Sequence, residues 1–334
     1  MIPVPADPAA RRGALLQRLR DSGPFGFGAS SLGNLYEPMS EEQALETVAA
    51  AWDGGVRLFD TAPFYGFGLS EHRLGLALSS RPRDAYLLST KVGRLLVPDE
   101  GGGTAHGFRD ARPFRPVFDY GYDGVMRSFE ASLERLGVDR IDFLLMHDIG
   151  RATHRSEHER HWRDAVDGGF RALAALRDQG VVGGVGLGVN ELAVCEAAIE
   201  RFDPNLFLIA GRYTLLEREG AAFFERCSAA GIGILAAGVF NSGILATGTS
   251  GAGPARFDYD EAAPEIRGRV AAIEAICAAH GVPLAVAAHR FVRTSPAVTQ
   301  TLLGLRDPRQ VEAAIEGCRL PIPPGFWAAI DALD

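Results

Sequence analysis

The sequence predicts an α/β protein built as one (β/α)8 TIM barrel. Eight short apolar runs alternate with amphipathic helical stretches along the 334 residues. No linker or low-complexity segment divides the chain, so residues 1–334 are expected to form one domain, with the first ~20 residues at its periphery. Eight βα units in a chain of this size favour a closed barrel over an open doubly wound sheet.

The elements follow from apolar periodicity, taken in chain order. Continuous apolar runs are typical of parallel strands that are buried on both faces. The predicted strands are 24–29, 56–60, 86–91, 141–147, 181–189, 206–210, 232–237 and 298–304. The clearest helical patterns between them are 41–52, 71–78, 124–136, 170–179 and 265–279, and Asp307 with Pro308 gives a start signal for the last helix.

Two connections are much longer than the usual two to six residues. They are 92–119, after the third strand, and 238–264, after the seventh. Both leave the carboxyl face of the barrel, where long loops normally build the substrate pocket and a lid. We therefore expect these two loops to decide which substrate is bound.

Composition narrows the class of partner. A net charge of −8 argues against nucleic acid and anionic membranes as partners. No apolar run approaches the roughly 20 residues of a membrane span, and no hydrophobic signal core follows the N-terminus. The four cysteines contain no Cys-x-x-Cys pair, which is typical of reduced packing residues. We expect a cytoplasmic protein with a small-molecule substrate; its oligomeric state stays open.

Only one of the 34 basic residues is a lysine, Lys91. A lysine ammonium differs from a guanidinium because burial and neighbouring charges can move its pKa, and because it presents a compact point charge. Lys91 also closes a predicted buried strand, where α/β enzymes keep their chemistry. This position favours a role in proton chemistry over a compositional accident.

Polar side chains close the second, third and fourth predicted strands. Asp60, Lys91 and His147 stand at these ends, and Tyr65 follows Asp60 on the next loop. A tyrosine has an ordinary pKa near 10, so proton exchange near neutral pH requires a nearby cation such as Lys91. The set suits proton transfer at a carbonyl or hydroxyl, and a nicotinamide would have to carry the hydride, because no side chain can.

Three segments resemble the aldo-keto reductase family: DTAPFY at 60–65, STK at 89–91 and RLGVDRIDFLLMH at 135–147. The resemblance runs from about Gly26 to Gln310 and implies the same barrel fold. By this resemblance Tyr65 is the general acid/base, Lys91 and Asp60 tune it, and His147 orients the substrate oxygen.

Within that family, three further segments are similar to the branch that contains D-threo-aldose 1-dehydrogenase, L-fucose dehydrogenase and pyridoxal 4-dehydrogenase. They are GFGASSLGNL at 26–35, AGRYTLL at 210–216 and GVFNSGIL at 238–245. The branch implies oxidation of a cyclic hemiacetal, such as L-fucose or a D-threo-aldose, to a lactone, with Tyr65 accepting the proton of the anomeric hydroxyl.

The cofactor residues match the family pattern less closely. The resemblance places Asn190 against the nicotinamide carboxamide, but Val189, Ala210 and Ala236 stand where the family has a serine, a glutamine and a stacking aromatic. Tyr213 is expected either to stack on the nicotinamide instead or to pack under a loop.

Two other segments would hold the rest of a dinucleotide. The pyrophosphate would contact the segment with Gly238, Val239, Phe240, Asn241, Ser242, Gly243 and Leu245. The adenosine ribose would meet the segment with Gly304, Arg306, Asp307 and Gln310. Asp307 would repel a 2′-phosphate, so we predict NAD in preference to NADP, although Arg306 and Arg309 leave NADP open.

Some alternatives stay open and one is set aside. Rival functions are pyridoxal oxidation, reduction of aldehydes or ketones, and a nicotinamide-sensing barrel without catalysis. His154, His158 and His161 recur at helical spacing, but among so many charged residues we interpret them as a solvated helix face and predict no metal site.

Overall fold

The computed structural model describes residues 8–99, 104, 106–251, 255–258 and 260–333, and its centre is a closed barrel of eight parallel strands. The strands are β1 (Gly26–Gly28), β2 (Leu58–Asp60), β3 (Leu87–Val92), β4 (Ile141–His147), β5 (Val182–Val189), β6 (Leu206–Ala210), β7 (Gly233–Ala237) and β8 (Gln300–Gly304). Each strand pairs with the next in the chain, and β8 closes on β1. The predicted barrel is confirmed, and every predicted strand lies within two residues of its observed bounds.

Helices surround the barrel and connect successive strands. The longer ones are Pro8–Arg20, Glu41–Asp53, Leu69–Leu78, Tyr122–Leu136, Phe170–Asp178, Leu192–Ile199, Ala221–Ala229, Pro264–His280, Leu284–Val292 and Pro308–Arg319. Shorter helical pieces are Ala29–Gly33, Arg83–Ala85, Arg151–His154, Arg155–Glu157, His158–Asp164, Ala165–Gly169, Asn241–Gly243, Ile244–Thr247 and Phe326–Asp331.

Local side-chain chemistry explains where several helices begin and end. The Ser40 side chain accepts a hydrogen bond from the Gln43 N–H at the start of Glu41–Asp53. The Asp307 carboxylate caps the helix that begins at Pro308 in the same way, as the sequence predicted. Gly137 takes the left-handed conformation that ends Tyr122–Leu136, which a residue without a Cβ adopts at little cost.

The first helix closes the amino end of the barrel. Leu15, Leu16 and Leu19 are buried in one cluster with leucines and a phenylalanine of the barrel strands. Gly184 of β5 leaves room for this helix, because a Cβ there would lie 2.7 Å from Leu15. Pro8–Arg20 thus lies outside the ring of strands, as expected of a peripheral segment, but packs against the end of the barrel through these leucines, which the sequence did not predict. Its many arginines and its narrow apolar stripe concealed the packing face.

Both long connections carry a small hairpin at the carboxyl face. Arg94–Pro98 pairs with Phe114–Phe118 after β3, and Arg256–Phe257 pairs with Asp260–Glu261 after β7. Within these two loops, residues 100–103, 105, 252–254 and 259 lie outside the described part of the chain.

All four cysteines are free thiols, and Cys195, Cys227 and Cys277 are buried. No single helix of the described chain is both long and apolar enough to cross a membrane; Pro264–His280 and Leu284–Val292 meet that criterion only together, across a bend of 101°.

Candidate active site

The strand register brings four polar side chains to the carboxyl mouth of the barrel. Asp60 and His147 are the last residues of β2 and β4, and Lys91 lies near the end of β3 between them. Tyr65 follows on the loop after β2. Side chains from neighbouring parallel strands converge at such a mouth.

Lys91 is the centre of this group. Its Nζ lies 2.6 Å from Asp60 Oδ1, and it donates hydrogen bonds to the Thr61 carbonyl at 2.9 Å and to Tyr65 Oη at 3.2 Å. The other carboxylate oxygen of Asp60 accepts a hydrogen bond of 2.7 Å from Ser89. The lysine side chain is only 1% exposed, so its cation is directed at the phenol with little competition from water.

A glycine on the neighbouring side of the barrel leaves space for the lysine. A Cβ on Gly188 of β5 would lie 3.1 Å from Lys91 Cε and 3.4 Å from its Cδ. These distances leave an added methyl tightly packed against the lysine stem. The absence of a side chain at position 188 thus lets β5 lie directly against Lys91.

Electrostatics set the protonation states. Burial lowers the pKa of Lys91, but Asp60 and Tyr65 raise it by more, so the ammonium remains charged. Burial also raises the pKa of Tyr65, and Lys91 lowers it only in part. We expected Lys91 to lower the pKa of the Tyr65 phenol towards neutral pH. The lysine does lower this pKa, but burial raises it by more.

His147 lies against the same phenol in an apolar setting. Its ring centre is 5.9 Å from that of Tyr65, nearly perpendicular, and 6.0 Å from that of Phe64. Burial lowers its pKa well below the ordinary value, and the charges of Arg94 and Lys91 add to this. The imidazole is therefore neutral near pH 7, which suits hydrogen bonding to a substrate oxygen more than transfer of a full proton.

Two further charged residues join the site, and neither was predicted from the sequence. Arg94 donates to Asp148 Oδ2 at 2.5 Å, and the same oxygen lies 3.4 Å from His147 Nε2. Both residues adjoin predicted site residues, since Asp148 follows His147 and Arg94 comes three residues after Lys91. That adjacency was the only sequence signal available.

The histidines at 154, 158 and 161 are not on a solvated face, so that interpretation was wrong. They are 6%, 8% and 4% exposed. The rings of His154 and His161 lie 4.3 Å apart, and Tyr120 contacts both of them. The segment is a series of short helical pieces of different type, with Arg155 at a φ of 48° between two of them, so no single helical wheel describes it. Among the described residues no group of three His, Cys, Asp or Glu is arranged to hold a metal ion.

The proposed nicotinamide contacts lie around β5 and β6. Asn190 directly follows β5 and is partly buried. The Tyr213 ring stacks on Phe291 at 5.3 Å and contacts Phe224 at 5.6 Å. One face of this tyrosine is thus occupied by the protein, which favours the packing alternative for Tyr213.

The segment after β7 forms a tight turn at the mouth. Gly238 has a φ of 62°, and a Cβ there would lie 2.7 Å from the Gly211 nitrogen. Within the turn, Val239 and Leu245 are buried, while Phe240, Ser242 and Gly243 are partly accessible. The Asn241 side chain is buried, and neither polar atom of its amide has a hydrogen-bond partner among the described residues. A buried amide without a partner fits a site that a polar ligand completes.

The segment after β8 is organised by its own contacts. Gly304 is exposed at the end of β8, and the Gln310 side chain accepts a hydrogen bond from the Arg306 N–H. One oxygen of the Asp307 carboxylate caps the following helix, and Arg306 forms an ion pair with Glu37. These contacts fix the carboxylate at the helix N-terminus and hold the arginine against another loop.

Loops from different strands also meet over the mouth. The Arg256 guanidinium lies 4.7 Å from the ring centre of Tyr36, and Arg212 forms a bidentate ion pair with Asp258. The loop after β7 is thereby tied to the loops after β1 and β6.

Comparison with known proteins gives one consistent result. A model of the aldo/keto reductase family matches residues 24–334. The chain is 43% identical to pyridoxal 4-dehydrogenase of Microbacterium luteolum and 39% identical to D-threo-aldose 1-dehydrogenase of a Pseudomonas species, each over 92% of both chains.

Solved structures resemble the barrel at lower identity. A glycerol dehydrogenase of Gluconobacter oxydans superposes with a TM-score of 0.72 at 22% identity, covering 93% of this chain and 90% of that one. The holo form of an aldo-keto reductase of Bacillus halodurans gives the same TM-score and identity over 93% and 91% of the two chains. At this identity the resemblance concerns the fold alone.

Proposed function

Because the chain belongs to the aldo/keto reductase family, we propose that it is an NAD(P)-dependent dehydrogenase that oxidises a cyclic hemiacetal to its lactone. The observation that carries the proposal is the buried contact of Lys91 with both Asp60 and Tyr65. A cation held beside a phenol is what proton removal from a hydroxyl requires. The substrate we favour is a sugar of the L-fucose or D-threo-aldose type.

Tyr65 is the group that exchanges the proton. When the anomeric hydroxyl lies against its oxygen, the phenolate accepts that proton, and the charge of Lys91 at 3.2 Å stabilises the phenolate. His147 donates a hydrogen bond to the same substrate oxygen and keeps it in line. Burial raises the pKa of Tyr65, so the phenolate is a minor form near neutral pH, and its population increases as the pH rises. Oxidation should therefore accelerate with pH, whereas reduction, which needs the neutral phenol, should not.

The family uses nicotinamide cofactors, and residues at the mouth fit one. A bound nicotinamide would accept the hydride that leaves the anomeric carbon. Asn190 would contact that ring, while Tyr213 packs against Phe291. The turn at 238–245, with its unpartnered Asn241 amide, would contact the phosphates. We favour NAD because Asp307 places a negative charge where a 2′-phosphate would lie.

Pyridoxal is the second candidate substrate, and one specific observation favours it. The relative at 43% identity is a pyridoxal 4-dehydrogenase, and pyridoxal also closes to a cyclic hemiacetal. Phe64, Phe108 and Tyr65 form an aromatic group beside His147, which suits a flat pyridine as well as the apolar face of a sugar.

A spectrophotometric screen tests both candidates. The purified protein is given NAD or NADP with L-fucose, D-arabinose, L-galactose or pyridoxal, and formation of reduced nicotinamide is followed. We expect turnover with at least one of them, and Tyr65→Phe should lower kcat by about 10²-fold or more while cofactor binding is unchanged.

A second buried tyrosine serves as the matched control. Tyr86 directly precedes β3, at the end of the strand away from Lys91, so Tyr86→Phe should retain turnover. Cofactor binding without turnover on any hemiacetal would reject the dehydrogenase proposal in favour of aldehyde reduction or a nicotinamide-sensing barrel. Full activity in Tyr65→Phe would reject the role of the phenol.

A further inference from the structure

A row of charges extends the four-residue group on the side of His147. Asp148 Oδ2 lies 3.4 Å from His147 Nε2 and 2.5 Å from the Arg94 guanidinium. The row therefore runs from Arg94 through the carboxylate to the imidazole. Its members come from two elements: β4 ends at His147, and Arg94 begins the hairpin that follows β3.

The fold holds Arg94 and Asp148 in place. Arg94 is 5% exposed, and its guanidinium carbon lies 4.0 Å from the ring centre of Phe64. Asp148 has a φ of +47°, which non-glycine residues adopt rarely, and its N–H donates to the Gly188 carbonyl at 2.9 Å. Local backbone strain of this kind is found preferentially at functional sites.

The two nitrogens of the His147 ring have different surroundings. Nδ1 is buried and has no hydrogen-bond partner among the described residues. Nε2 faces the Asp148 carboxylate, which only accepts hydrogen bonds when ionised. A neutral imidazole carries one proton, and only at Nε2 does a neighbour stabilise it.

The distance from Nε2 to the carboxylate also matters. At 3.4 Å this contact is electrostatic, and no hydrogen bond joins the two groups among the described residues, so the N–H remains available to a substrate oxygen. A substrate oxygen held by Tyr65 can share it, since the rings of Tyr65 and His147 are adjacent.

We propose that Asp148 and Arg94 are positioning residues that hold His147 in the Nε2–H tautomer, so that it donates a hydrogen bond to the reacting oxygen. Asp148 selects the tautomer, and Arg94 fixes the carboxylate in place. The effect on turnover rests on the proposed function, whereas the tautomer itself does not.

The direct test is ¹⁵N NMR of the full-length protein labelled at histidine, with His147→Gln used to assign the signal. In the unmodified protein we expect the ¹⁵N signals of a neutral imidazole that is protonated at Nε2; we call this the Nε2–H pattern. Asp148→Gly removes the acceptor, and glycine tolerates the positive φ at this position. In this variant the single tautomer should be lost, and kcat should fall at least tenfold with KM changed less than twofold.

Asp148→Asn is the conservative rescue. Asparagine tolerates the same backbone conformation, and Arg94 attracts its amide oxygen to the position of Oδ2. This variant should keep the Nε2–H pattern and most of kcat. Arg127→Gln, which breaks an exposed ion pair with Asp119, is the matched control and should change neither the spectrum nor kcat.

Two results would overturn the proposal. One is an Nδ1–H pattern in the unmodified protein; the other is an unchanged tautomer in Asp148→Gly. Arg94→Met gives a second route should the glycine variant not fold, and an unchanged spectrum and kcat there would remove Arg94 from the mechanism. A protein that shows the expected tautomers but oxidises no hemiacetal would contradict the proposed function and leave this inference standing.

Discussion

Replacing Lys91 by methionine removes a cation that lies 2.6 Å from Asp60, where the two side chains are only 1% and 4% exposed. Methionine has a similar length and no charge, so the carboxylate stays buried and loses its ion pair. Breaking a buried pair from one side costs about 3–5 kcal/mol of unfolding free energy. Burial raises the pKa of Asp60, and without the opposing lysine the carboxyl can take up a proton. Since a protonated carboxyl is cheaper to bury, we expect a loss near the lower end of this range, about 3 kcal/mol, at pH 7.

A double-mutant cycle separates the ion pair from simple packing. Asp60→Asn alone leaves the buried ammonium of Lys91 without its carboxylate, with only the Thr61 carbonyl and Tyr65 as partners. This single variant should therefore also be less stable than the unmodified protein. In Asp60→Asn with Lys91→Met neither charge is left unpaired. The double variant should therefore lose less unfolding free energy than the two single variants lose together, with a coupling energy of at least about 1–2 kcal/mol.

The assay is urea unfolding at pH 7 followed by far-UV circular dichroism, with the midpoint and slope fitted for each variant. The matched control is the pair Arg127 and Asp119, whose side chains are 60% and 34% exposed, so Arg127→Gln should cost about 1 kcal/mol or less. A loss below about 1 kcal/mol in Lys91→Met, or strictly additive losses in the cycle, would show that Asp60 does not depend on this cation.

Two further predictions concern a buried histidine and the last helix. Burial lowers the pKa of His289 to about 3, with Arg293 and Arg290 adding to the effect, so below pH 6.5 the unfolded chain binds the proton and stability falls as pH falls. That loss is on the order of 3 kcal/mol at pH 4.5, so between pH 7 and pH 4.5 the free energy of unfolding in urea should fall by about that much less in His289→Gln; an unaltered pH dependence would contradict it. Asp307→Ser should raise the use of NADP relative to NAD while stability changes by less than about 0.5 kcal/mol, because serine also caps helices; kcat/KM for both cofactors measures the ratio, and no change in it would remove Asp307 from cofactor selection.

Much of the fold could be predicted because periodicity and strand ends are local signals. The eight strands lie within two residues of their predicted bounds, and the helix start at Pro308 follows from its capping aspartate. The contact of Asp60 with Lys91 was also expected, since neighbouring parallel strands deliver their last residues to one mouth. The catalytic roles of these residues stay predictions.

Other features depend on distant parts of the chain and leave no local pattern. His154 and His161 are buried against Tyr120 because the segment is broken into short helical pieces at Arg155. The pairing of Arg94 with Asp148 spans 54 residues, and neither residue is unusual in its own segment. The raised pKa of Tyr65 is the balance of burial and charge, which no spacing of residues reveals.

The helix that closes the amino end of the barrel also constrains the order of folding. Leu15 and Leu16 enter a cluster to which β8 contributes Leu302, nearly at the other end of the chain. Their binding site is incomplete until β8 has joined β1, so a helix that precedes every barrel strand in the chain is among the last elements to dock. Because such distant contacts slow folding, we expect the closing helix to be free, with its leucines exposed, in any intermediate that lacks the last strand.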